Sequence, residues 1–152
     1  MKTKLLIVFA TIMFVGCSKD KFNTKPTLEF KNANSQVFHK GEIMEFVLHY
    51  TDKEGDIQNH LYVQEVTQDT LCSGNNFSDT YPIPRDVPET ANSEGDIVVR
   101  YTYGQISPSG YPPTYTAATC QRNDTCVIKF ALIDKANNSS DTITSPQIVF
   151  VY

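Results

Sequence analysis

Tryptophan is absent from this chain, which removes the side chain most used as a platform for sugar rings, although eight tyrosines and nine phenylalanines remain. Its seven glycines form no phosphate-cradling or dinucleotide-binding run, and the GxSxG, HExxH and P-loop patterns are all missing. The sequence therefore indicates no enzyme. It also has no run of lysine or arginine, and its 13 basic residues are outnumbered by 17 acidic ones. That balance excludes the electrostatic footprint of a nucleic-acid partner. Nor is any apolar run long enough to span a bilayer. The longest, Leu5 to Val15, is broken only by Thr11; as a helix it reaches about 16 Å, against a hydrocarbon core of about 30 Å.

What is present begins with that short run. Lys2 and Lys4 precede it as a positive n-region, so residues 1–16 read as a signal peptide. The segment Phe14-Val15-Gly16-Cys17 resembles a lipobox, with a small residue before the cysteine that receives lipid. The resemblance implies cleavage before Cys17 and a membrane anchor of two or three acyl chains, each buried CH₂ contributing about 0.8 kcal/mol. Residues 17–26 then form a lipidated N-terminus and polar tether, and residues 27–152 a single domain. The run Cys-Ser-Lys-Asp-Lys is similar to the tethers of bacteroidete-type lipoproteins. That places the protein in the cell envelope at the outer membrane, on its periplasmic or surface face. Loss of the leader removes two lysines and no acid, taking the net charge from −4 to −6.

The domain shows period-two alternation rather than helical periodicity. Strands are expected at Thr27–Lys31, Ile43–Thr51, His60–Thr67, Asp96–Tyr103, Thr125–Asp134 and Gln147–Tyr152. Short strands with turn residues between them argue an all-β, antiparallel sandwich. Residues 68–95 and 104–119, rich in proline and polar residues, break the rhythm and read as long loops. Two turns carry a resemblance. Tyr-Thr-Asp-Lys-Glu-Gly-Asp-Ile (50–57) and Phe-Ala-Leu-Ile-Asp-Lys-Ala-Asn-Asn-Ser-Ser-Asp (130–141) are similar to paired turns of immunoglobulin-like and cadherin-like bacterial modules. The resemblance extends to small immunoglobulin-like lipoproteins and implies that fold without implying a reaction.

If Cys17 carries lipid, Cys72, Cys120 and Cys126 remain, an odd number that permits one bridge. Cys126 shares a strand face with Ile128, Phe130 and Leu132, which favours a buried thiol there and a Cys72–Cys120 disulfide; Cys120–Cys126 is the alternative. No CxxC pattern suggests a metal site. His39, His49 and His60 fall at strand or edge positions without ligand spacing.

Two constellations stand out. Asp52, Glu54 and Asp56 alternate through a glycine-containing turn, and Asp134 joins them if both turns share one end of the sandwich. Such a set suits Ca²⁺, which takes six to eight oxygens. The competing reading is a hairpin turn in which Asp52 caps amides and Gly55 supplies a positive φ. The second constellation is aromatic: Tyr103, Tyr111 and Tyr115, with Tyr101 and Tyr81 nearby, are candidates for peptide or sugar contact, or for packing the core and the proline-rich loop. Asp69-Thr70-Leu71 and Asp141-Thr142-Ile143 resemble O-glycosylation sites of exported bacteroidete proteins. Together these features lead to the expectation of a lipid-anchored, non-enzymatic binding or structural module meeting an envelope protein or polysaccharide. The alternatives are a calcium-stabilised adhesion or glycan-binding module and an envelope inhibitor or immunity-type protein.

Overall fold

A computed structural model describes residues 24–68, 71, 77–106, 109–116 and 122–152. Cys17, Cys72 and Cys120 lie outside the described residues, and with them the expected lipidation site and disulfide. Ten strands follow in order: β1 (Thr27–Ala33), β2 (Val37–Phe38), β3 (Ile43–Asp52), β4 (His60–Thr67), β5 (Ser78–Pro82), β6 (Ser93–Tyr103), β7 (Thr114–Tyr115), β8 (Asp124–Ile133), β9 (Ile143–Thr144) and β10 (Ile148–Phe150). The six expected strands are all present, with β4 unchanged and the other ends moved by at most three residues.

Alternation decides which face each strand buries. Along β3, Met44, Phe46, Leu48, Tyr50 and Asp52 are buried while the residues between them are half-buried or, at Ile43, exposed. On β8 the buried set is Asp124, Cys126, Ile128, Phe130 and Leu132, with Ala131 added. These faces meet in an aromatic core in which Phe46 and Phe130 lie 5.6 Å apart. Phe77, Tyr101 and Phe150 pack around Tyr115 at 4.4, 5.6 and 4.9 Å.

The strands form two sheets, ordered β1-β3-β6-β7 and β2-β10-β8-β4-β5, with β9 on the flank of β8. The long pairs are antiparallel: β3 with β6, β4 with β8 and β1 with β3. Two short edge pairs are parallel, β2 with β10 and β6 with β7, so the expected antiparallel order fails only at the edges. The chain changes sheets early, since β1 belongs to the first sheet and β2 to the second. The result is an all-β sandwich of immunoglobulin-like layout. The segments read as long loops each contain a strand, β5 in one and β7 in the other.

Candidate functional site

Both acidic turns sit at one end of the sandwich. After β3 the chain reverses at Gly55, whose φ is +74°; a Cβ there would lie 2.0 Å from the Thr90 carbonyl oxygen. Asp52 is buried and accepts hydrogen bonds from the amides of Glu54 (3.3 Å) and Asp56 (2.9 Å), one on each carboxylate oxygen. Beyond β8, Asp134 accepts from the Asn138 amide (2.7 Å) and the Asn138 Nδ2 (2.9 Å), while Asn137 takes the left-handed conformation at φ 65°. The Lys135 amide donates to the Asp56 carbonyl at 2.9 Å and joins the two turns.

The structure thus brings Asp52, Asp56 and Asp134 together and leaves Glu54 exposed. Burial, and then the charges of Asp134 and Asp52, push the Asp56 carboxyl above its ordinary range. The oxygens of Asp52 and Asp134 are already engaged with protein N–H groups. Of these three carboxyls, only Asp56 has an oxygen, Oδ1, that is buried without a hydrogen-bond partner. Among the described residues no three acidic, histidine or cysteine side chains converge as a metal-binding set. This donor arrangement matches the amide-capping turn.

The aromatic constellation divides. Tyr103 is 5 % exposed and Tyr115 is fully buried, so neither faces a ligand. They are core residues because β6 and β7 carry them on inward positions, their rings tilted against Phe150 at 4.7 and 4.9 Å. Tyr111 is 64 % exposed. It lines a groove of about 490 Å³ with Tyr81, Pro82, Ile83, Ile97 and Val98, between β5 of one sheet and β6 of the other.

That groove runs beside a strand edge that is unpaired among the described residues. The Thr102 amide donates to the Pro113 carbonyl on the β7 side, whereas the Tyr103 amide donates to the Glu42 carbonyl on the β3 side. Because strand residues alternate in the edge they face, Glu94, Asp96, Val98 and Arg100 direct their amides and carbonyls away from β3. β7 pairs with β6 only at Thr102 and Tyr103.

At the opposite end of β4 and β8 lies a cluster that alternation in the sequence could have revealed. Glu65 follows Leu61 and Val63 on the inward face of β4, and Asp124 precedes Cys126 and Ile128 on that of β8. Glu65 is fully buried and Asp124 is 2 % exposed. Tyr115 Oη donates to Glu65 Oε2 at 2.6 Å, the Phe77 amide donates to the same oxygen at 3.4 Å, and Thr67 Oγ1 donates to Asp124 Oδ1 at 2.6 Å. Glu65 Oε1 and Asp124 Oδ2 are buried without a partner. Cys126 is a buried free thiol, pushed upward in pKa by burial and then by both carboxylates. The histidines are peripheral: His39 and His60 are exposed, and His49 Nδ1 lies 2.8 Å from Asp96 Oδ1.

No family model matches the chain, and no curated protein matches it. Solved structures align with it at low similarity. The sporulation control protein Spo0M of Bacillus subtilis aligns over 84 % of this chain and 50 % of its own, at 9 % identity and a TM-score of 0.44. The CARDB domain of PF1109 from Pyrococcus furiosus, solved in complex with di-metal ions, aligns over 84 % and 88 %, at 14 % identity and 0.31. A solution structure of the same domain gives 12 % and 0.30. The chain spans half the length of Spo0M, and likenesses this distant assign it no activity.

Proposed function

We propose that this protein is a lipid-anchored module of the cell envelope that binds an extended segment of a partner protein without catalysing a reaction. The open edge of β6 beside an apolar groove carries this reading. An incoming strand would find four outward-facing backbone positions for main-chain hydrogen bonds and, in Tyr81, Ile97, Val98 and Tyr111, apolar surface for its side chains. The signal peptide and Cys17 support the address, and the missing nucleophile–base motifs support a non-enzymatic role. The reading needs neither nucleic acid nor calcium.

A photo-crosslinking residue at Val98, compared with one at the exposed Glu29 on β1, tests the proposal in intact cells. A discrete adduct from position 98 alone is expected, lost in a chain that also carries Arg100→Pro. Proline removes one outward N–H that the strand's own sheet does not use, so the fold survives. Adducts of equal yield from both positions, or none from position 98, would overturn the binding reading. Separately, Cys17→Ala should move the protein out of the membrane fraction; unchanged fractionation would refute the anchor.

A further inference from the structure

The buried carboxyl pair at the far end of the sandwich has no assigned role, and its hydrogen bonding is incomplete if both groups are charged. Thr67, two residues along β4 from Glu65, pairs with Cys126 of β8 and donates to Asp124 at 2.6 Å, so both buried carboxyls lie at this one end of β4 and β8. Each has one oxygen engaged by a neutral donor and the other buried with none. Two carboxylates have acceptors only, so neither supplies the missing hydrogen. One added proton does, by turning one acid into a donor toward the other. Among the described residues, the groups facing Glu65 are Tyr115 on β7, Asp124 on β8 and the Phe77 amide before β5. Tyr103 on β6 and Cys126 on β8 sense the same two carboxyls. The Phe38 and Phe150 side chains on the neighbouring strands carry no charge.

We infer that Glu65 and Asp124 share a single proton, held between Glu65 Oε1 and Asp124 Oδ2, and that its loss loosens this end of the sandwich as pH rises. The fold thereby contains a pH-responsive clasp joining β4 to β8, with β7 bound to it through Tyr115. Burial is the main cause that pushes Glu65 up to about 7, from about 4.5 for a free side chain. The native state therefore binds the proton more tightly than the unfolded chain. The stabilisation is complete below about pH 4.5 and is lost as pH climbs through about 7.

The test is chemical denaturation of the full mature chain between pH 5.5 and 8.5, for wild type and Glu65→Gln. From the two pKa values, the wild-type folding constant should fall about thirtyfold across that window relative to the variant. The glutamine side chain reproduces the protonated acid, since its Nε2–H can donate to Asp124 while its Oε1 accepts from Tyr115. The comparison also subtracts every pH-dependent contribution common to the two proteins. Parallel pH profiles for the two proteins would overturn the inference. Asp124→Asn supplies a donor from the other side and should lower the Glu65 pKa, read from its carboxyl ¹³C shift; an unmoved titration would count against a shared proton. Ca²⁺, Mg²⁺ and Zn²⁺ are tested at pH 8 against EDTA. A metal-dependent rise in melting temperature that vanishes in Glu65→Gln would show a cation between the carboxyls and overturn the proton.

Discussion

Asp52→Ala removes the carboxylate that organises the β3 turn, and the structure indicates how much stability goes with it. Asp52 is 2 % exposed, and its two oxygens accept the amides of Glu54 and Asp56. A hydrogen bond to a charged group contributes about 1.5–3 kcal/mol, and the 3.3 Å bond sits at the weak end of that range. Part of the loss is offset, because Asp52 is one of the charges that raise the Asp56 carboxyl, and removing it relieves that repulsion. The net cost should be about 2–3 kcal/mol, or roughly 6–12 °C in melting temperature for a domain of this size. Asp52→Asn retains one strong acceptor without the charge and should lose about half as much. Differential scanning calorimetry of the mature chain, with about 2 mM CaCl₂ and with EDTA, separates the two readings of the turn. A capping carboxylate gives the same wild-type melting temperature in both buffers and the graded losses above. A wild-type protein that melts several degrees lower in EDTA, with Asp52→Ala insensitive to either buffer, would refute the capping argument.

Two further outcomes follow from burial and backbone geometry. Gly55→Ala should cost more than about 2 kcal/mol in urea unfolding, because the left-handed backbone alone costs an alanine about 1 kcal/mol and its Cβ would meet the Thr90 carbonyl at 2.0 Å; a loss below about 0.5 kcal/mol would mean that the 55 and 90 segments separate freely. Cys126, buried and raised in pKa by burial and the nearby carboxylates, should resist iodoacetamide in the folded protein and react fully in denaturant; rapid native-state labelling would contradict its place in the core.

The sequence reveals the fold best where one sheet face is apolar and the other polar. Alternation of Leu61 and Val63 with Tyr62 and Gln64 marks β4 to its observed ends, His60 and Thr67. β5 has no such signal, since Ser78, Asp79, Thr80 and Pro82 are exposed and only Tyr81 is half-buried; it pairs through its backbone with β4. β7 is a two-residue strand in proline-rich sequence, and its placement of Tyr115 in the core depends on packing with Phe77, Tyr101 and Phe150. For that reason Tyr103 and Tyr115, the same residue type as the exposed Tyr111, differ from it in environment. The acidic turn is readable as a shape, but its sequence leaves the capping and cation arrangements open; the Glu54, Asp56 and Asn138 N–H groups supply the capping hydrogen bonds that the sequence alone does not show. Alternation places Glu65 on the inward face of β4, yet a carboxylate there looks like a break in the pattern until Asp124 of β8 is placed at the same end.

The sheet order also has a mechanical meaning. β1, the first described strand, is one edge of the first sheet; β6, with a stretch unpaired on its outer side among the described residues, lies two strands away, and β3 stands between them. Just before β1, the Thr24 carbonyl accepts from Asn138 Nδ2 at 3.0 Å and Lys25 pairs with Asp141 at 2.5 Å. Tension between the N-terminus and a strand docked on β6 would first meet these two contacts and then pull along the β1–β3 and β3–β6 ladders. A ladder pulled lengthwise shares the load among its hydrogen bonds instead of opening them one at a time. Under the proposed function, the sheet that would offer the docking edge is therefore also the one that would resist being drawn away from the proposed anchor.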